Sequence, residues 1–203
     1  MSDPDLEPAI VVRPANRASW SDLQLVFGTR GPAARCWCQR FKLAPKESFG
    51  SVPAEDRAHR LREQTDCDHP ESTSTSGLVA YADDEPVGWC AVEPRPHYAG
   101  LVRVFRVPWD GRHEDPTDVG VWAVTCLFTR AGHRRRGVSR ALALAAVDFA
   151  RTRGAVALEA YPITTSRVIA EELHVGTVAT YAAAGLTEVS HPTLRRLVMR
   201  IDF

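Results

Sequence analysis

Lysine is nearly missing from this chain. Of its 25 basic residues only Lys42 and Lys46 are lysines, the other 23 are arginines, and 25 acidic residues bring the formal net charge to zero. That balance excludes a generally basic nucleic-acid binder and a strongly acidic tail protein. Long apolar runs are lacking too. The most apolar long window, residues 141–150, contains Asp148 and falls short of the roughly 20 residues that a membrane-spanning helix needs. No membrane partner is expected. A basic start is also absent: Asp3, Asp5 and Glu7 stand where a secretory signal would need positive charge and then an apolar stretch, so a cytoplasmic protein is expected. The five cysteines are few and odd in number, and Cys90 and Cys126 lie inside apolar runs. They read as reduced core thiols and not as a disulfide framework.

What is present fits one globular unit. A chain of 203 residues with 44% apolar and 25% charged side chains can bury a core without staples. We expect a single domain over 1–203. Residues 9–12 read as a strand, followed by a helix through Trp20, Leu23, Val26 and Phe27 with Asn16 as its cap. Glycines and prolines punctuate 31–53, which holds the cluster Cys36, Trp37, Cys38, Gln39, Arg40 and Phe41. A mostly polar helix over 54–65 and a loop over 66–76 complete a first insertion at about 31–76. Strand-like runs at 78–81 and 86–92 form a hairpin. A proline-rich connection, 93–118, is long enough to be functional or irregular. The strongest strand spans 119–129. The clearest helix follows, because Val138, Ala141, Leu142, Ala145 and Phe149 recur at the spacing of one buried face, and Gly154 ends it. A strand at 155–160, a short helix at 177–184 before Gly185, and strands at 186–190 and 194–203 close the chain. This order predicts an α/β fold, a mixed sheet with helices on its faces.

Chemistry concentrates where the long strand enters that helix. Arg130, Ala131, Gly132, His133, Arg134, Arg135, Arg136, Gly137, Val138, Ser139 and Arg140 make a strand, glycine turn and helix start. Free N–H groups, the positive end of the helix dipole and a missing side chain at Gly137 favour close approach of a phosphate. Arginine adds paired contacts to phosphate oxygens and a permanent charge. Neither G-x-x-x-x-G-K-[ST] nor G-x-G-x-x-G occurs, which argues against a nucleotide hydrolase and a dinucleotide enzyme. A nucleic-acid patch is disfavoured by the zero net charge and by the absence of basic–aromatic alternation around the tract.

The sequence here resembles the GNAT superfamily of N-acetyltransferases, whose signature is a strand followed by [RQ]-x-x-G-x-[GA] at a helix start. The matching residues are Arg134, Arg135, Arg136, Gly137, Val138 and Ser139, with serine where the family has glycine or alanine. The order of elements over roughly 125 residues, down to Tyr181 four residues before Gly185, follows the family as well. The resemblance implies a mostly antiparallel, twisted sheet flanked by helices, with a V-shaped splay between the central strands for acetyl-CoA. It implies transfer of an acetyl group to a primary amine by direct attack. The cofactor's pyrophosphate would lie on the backbone of Arg135, Gly137 and Ser139, and its pantetheine arm along Leu127, Phe128 and Thr129. An N–H there would polarise the thioester carbonyl. Tyr181 falls at the family's general-acid position, where a phenol of pKa about 10 can protonate a thiolate whose acid has pKa about 8.5.

Many relatives place a glutamate on the central strand as general base, whereas this strand, Val121, Trp122, Ala123, Val124, Thr125, Cys126 and Leu127, has no carboxylate. Glu159 is the first candidate, Asp118 the second, and water a third. Cys36, Cys38, Cys67 and His69 could ligate zinc only if the two pairs met, and their one-residue spacing is atypical. No metal is expected. Trp37 and Phe41 are expected to bulk out one wall of an acceptor pocket. The two insertions would narrow its mouth, which favours a small-molecule amine. An anionic amine would find Arg95, Arg103 and Arg106, whereas a polyamine would find Glu114, Asp115 and Asp118. Acetylation of a protein lysine or N-terminus, and a non-catalytic acyl-CoA sensor, are the alternatives. A homodimer is left open.

Overall fold

In a computed structural model, which describes residues 9–165, 168 and 172–203, the apolar runs become the inner strands of one sheet. The strands are β1 (Ile10–Pro14), β2 (Gly77–Ala82), β3 (Glu85–Pro94), β4 (Val121–Thr129), β5 (Ala157–Ala160), β6 (Thr187–Thr193) and β7 (Arg196–Asp202). Their spatial order is β1-β2-β3-β4-β5-β7-β6. Only β4 and β5 run parallel; every other neighbouring pair is antiparallel. β2, β3 and β4 are buried nearly throughout, as continuous apolar strands covered on both faces must be. β1 and β6 form the edges, and their side chains alternate with solvent.

Helices α1 (Trp20–Phe27), α2 (Gly31–Cys36), α3 (Ala54–Thr65), α4 (Ala99–Val104), α5 (Val138–Thr152) and α6 (Val178–Ala182) cover the two faces. α5 lays Val138, Leu142, Ala146 and Phe149 on one face with Trp122, Val124 and Leu127. Each fully buried large side chain there stabilises the fold by roughly 1.5–3 kcal/mol. On the opposite face, Leu23, Val26 and Phe27 of α1 pack on Trp89 and Cys126. Ser19, not Asn16, caps α1: its hydroxyl accepts from the Asp22 N–H, and the Asp22 carboxylate accepts from the Ser19 N–H. Asn16 is instead buried, and its amide donates to the carbonyls of His69 and Ser72, at 3.2 and 2.9 Å. It pins the 66–76 loop beneath the start of α1.

Two features open the centre of the sheet. β3 pairs Ala91 with Cys126 but Val92 with Val124, so Thr125 is an extra residue on β4, a bulge that adds local twist. β4 and β5 pair only from Val121–Ala157 to Val124–Ala160. Beyond Ala160, Ile163 bridges to Thr177 and Arg196 instead. The strands part there, and among the described residues no strand faces 125–129 on that side. The expected splay is present.

Candidate active site

The splay continues into a cleft of about 840 Å³. Cys126, Leu127, Phe128 and Thr129 of β4 form its inner surface, and the loop into α5 forms one end. That loop holds three left-handed residues, Gly132 (φ 89°), Arg135 (φ 62°) and Gly137 (φ 78°). Left-handed positions among right-handed ones turn successive N–H groups toward one side, which creates an anion-binding concavity. Gly137 is the N-cap of α5 and offers no side-chain cap, so the first N–H groups of the helix stay available. A Cβ on Gly137 would meet no protein atom within 4 Å and would point into space that a ligand can use. The site therefore fits a pyrophosphate.

Most of the expected cofactor residues converge on the cleft. Leu127, Phe128, Thr129, Arg134, Arg135, Gly137, Val138 and Ser139 line it, whereas Arg136 is exposed and is not among its lining residues. Arg136 fills the motif's spacing and projects away. Ser139 and Thr129 share a hydroxyl–hydroxyl hydrogen bond of 3.0 Å, so the serine that departs from the motif ties the helix start to the strand end.

Glu159 does not stand where a base is needed. Its carboxylate is fully buried on the face away from α5, where Arg95 and Arg200 donate to it at 3.0 Å each, Tyr161 donates at 2.9 Å, and Arg112 joins them. Burial raises its pKa, but hydrogen bonding and charge from Arg112, with the charge of Arg95, outweigh burial and hold it below the usual carboxylate range. Such a group keeps its charge and takes no proton. Asp118 is also misplaced. It precedes β4, so roughly 23 Å of extended chain separates it from Thr125, where the splay begins, and it accepts the Gly120 N–H at 2.8 Å. No described carboxylate lines the cleft.

Tyr181 sits one layer behind the wall. It is 1% exposed, its hydroxyl donates to the Val175 carbonyl at 3.0 Å, and its ring lies against Gly176, which does line the cleft. Burial pushes its phenol well above the ordinary value. Sequence reasoning missed His174, which lines the cleft next to Gly176 and Thr177; an isolated histidine gave no signal.

The 31–76 insertion supplies the wall facing the arginine loop. Its Arg35, Cys36, Cys38, Arg40 and Phe49 line the cleft, as does Arg30 just before the insertion. The expected aromatic wall is inverted: Trp37 stacks on Trp20 and Phe27, at 5.5 and 5.0 Å between ring centroids, and Phe41 is buried near Tyr98 and Leu101. The left-handed backbone at Trp37 (φ 45°) and Cys38 (φ 56°) turns this segment so that the cysteines face the cleft. Burial pushes the Cys38 pKa up, but the neighbouring Cys126 and Trp89 side chains outweigh it and hold the thiol below its ordinary value. α3 braces the wall, because Arg57 donates to the carbonyls of Arg35, at 2.7 Å, and Phe49, at 2.8 Å. The 93–118 connection contributes no lining residue, so it does not narrow the mouth. Arg95 belongs to the Glu159 cluster, Arg103 donates to the Ala44 carbonyl and Arg106 pairs with Asp110. Among the described residues no group of three or more His, Cys, Asp or Glu side chains is placed to hold a metal ion, and no helix is long and apolar enough to cross a membrane.

A splayed mixed sheet with an anion-binding loop at the mouth of the splay defines a protein built to take an elongated phosphate ligand between its central strands. The sequence model of the acetyltransferase (GNAT) family matches residues 38–174, and the chain belongs to that family. It is an N-acetyltransferase with acetyl-CoA as its acetyl donor. None of the curated proteins matches the chain. Its fold is similar to that of a ribosomal-protein-alanine N-acetyltransferase from Brucella melitensis (15% identity, TM-score 0.55, covering 95% of this chain and 99% of that one). It is also similar to PaiA N-acetyltransferase from Thermoplasma acidophilum in complex with coenzyme A (14%, 0.51, 96% and 99%). A third likeness is to a GCN5-related N-acetyltransferase from Kribbella flavida (17%, 0.51, 96% and 98%).

Proposed function

We propose that the chain acetylates the primary amine of a small molecule by direct attack inside this cleft. The observation that carries this reading is the continuity of one cavity from the Arg134–Gly137 loop to the wall of Arg40 and Cys38. Its volume, about 840 Å³, suits a pantetheine arm together with a compact acceptor and lies within the usual range for ligand sites. Acetyl-CoA, when bound, supplies an activated thioester. The backbone N–H groups of Arg135, Gly137 and Ser139 hold its pyrophosphate, and the unpaired edge of β4 at 127–129 holds the arm and polarises the carbonyl.

The amine attacks the carbonyl carbon, a C–N bond forms, and the C–S bond breaks. His174 takes the proton that the amine must lose, since its imidazole lines the cleft and no described carboxylate does. Tyr181 exchanges the Val175 carbonyl for the departing thiolate and donates its phenolic proton, which burial keeps on the oxygen until that moment. A thiol-release assay with acetyl-CoA over a panel of small amines, peptides and aminoglycosides tests the reading. Release with free amines supports it. Release with peptides alone moves the acceptor to proteins, and binding without release makes the chain a sensor.

A further inference from the structure

Seven of the described residues that line the cleft are arginines, and none is aspartate or glutamate. The charge is not all needed by the acetyl donor. Coenzyme A carries about four negative charges, two on the pyrophosphate and nearly two on the phosphomonoester. The loop answers these with Arg134, Arg135 and Arg140 and with roughly half a charge from the start of α5. Arg130, also on that side, is partly neutralised by Glu85 at 2.6 Å. The surplus lies on the facing wall. Arg30 caps α2, Arg35 stands in its last turn and Arg40 follows four residues after the helix. All three are exposed, and among the described residues no carboxylate pairs with any of them.

Arg40 has its neighbours away from the arginine loop. The backbone N–H of Arg40 and its charge act on the Cys36 thiol, its guanidinium lies over the Phe49 ring at 5.5 Å, and its field reaches Arg196 at the start of β7. Three unpaired guanidinium groups around an amine-binding space repel polyamines, aminoglycosides and lysine-rich peptides. They attract an acceptor that brings its own negative charge, and arginine's fork fits both carboxylate and phosphate.

We propose that the acceptor is a small primary amine bearing a carboxylate or phosphate, held by Arg35 and Arg40 with Arg30 beside them. This rests on the acetyltransferase reading above, and the test separates the two. Calorimetry with acetyl-CoA comes first; absence of binding overturns both readings at the level of the donor. With donor binding in hand, thiol release is measured with aspartate, glutamate and phosphoethanolamine against putrescine, a lysine peptide and an acidic peptide. Release with the amino acids assigns a carboxylate, release with phosphoethanolamine assigns a phosphate, and either supports the proposal. Release confined to putrescine or to peptides, or no release from the panel, overturns it.

Arg40→Gln gives the second readout. It should raise KM for the anionic amine about tenfold or more, the scale of a lost charged hydrogen bond, and leave the acetyl-CoA Kd within about twofold. Arg106→Gln, outside the cleft, should change neither. An equal loss of acetyl-CoA affinity in Arg40→Gln would make that arginine part of the donor site and overturn the assignment.

Discussion

The Arg95 guanidinium and the Glu159 carboxylate meet at 3.0 Å with neither side chain reaching solvent. Around them Arg112, Arg200 and Tyr161 also donate to Glu159, and Arg95 donates to the Asp115 carbonyl at 2.6 Å. One carboxylate thereby fastens the 93–118 connection and β7 to β5. Glu159→Gln leaves these guanidinium groups with only the part-exposed Glu114 and, for Arg200, Asp202 as partners and should cost about 3 kcal/mol, read as a fall in the urea midpoint. Activity per folded molecule should survive, because the cluster lies off the cleft.

The same carboxylate sets an acid limit. Its folded pKa lies below the ordinary value near 4.5, so its stabilisation is fully present above about pH 5 and fades as pH falls through the folded pKa. Thermal melts of the wild-type protein should drop below pH 4.5, and those of Glu159→Gln should drop less steeply over that window.

At the loop, Gly137→Ala places a side chain at φ 78°, a strain of roughly 1–2 kcal/mol, and puts a methyl in the space reserved for phosphate. Acetyl-CoA affinity should fall about tenfold or more by calorimetry. Arg134→Glu should weaken binding and flatten its salt dependence, whereas Arg136→Glu, outside the cleft, should do much less.

For the proton transfers, Tyr181→Phe should lower kcat about a hundredfold, the ordinary scale of general acid catalysis, with the acetyl-CoA Kd unchanged. It also removes the donor to the Val175 carbonyl, so the melting point should fall by the equivalent of about 1 kcal/mol. Unchanged turnover would take the phenol out of the mechanism.

His174→Gln should remove the acid limb of the kcat/KM profile. In the wild-type protein that limb should fall as pH drops, because only the neutral ring accepts a proton. A limb that persists in the variant would assign the base elsewhere.

Local signals carried far in this sequence. The α5 periodicity, the glycine at its start and the apolar strands all act through neighbours a few residues apart, and each stands where the pattern put it. The failures are long-range. The arginines that occupy Glu159 come from 64, 47 and 41 residues away, so nothing near it in the chain distinguished an ion-pair centre from a base. Ser19 displaced Asn16 as the cap because the Asn16 amide serves carbonyls more than fifty residues on. Arg30, Arg35 and Arg40 carry no local pattern that sets them apart, and only the fold brings them to one cleft.

The scarcity of lysine takes on a meaning beside an acetylating cleft. Lys42 is buried in an ion pair with Glu93 and lies 5.2 Å from the centroid of the Tyr98 ring, which leaves Lys46 as the one solvent-exposed lysine. Guanidinium groups stay protonated and offer no free nitrogen lone pair to a thioester. A surface whose positive charge is almost wholly arginine therefore keeps that charge in the presence of its own donor, and self-modification can reach the side chain of Lys46 alone.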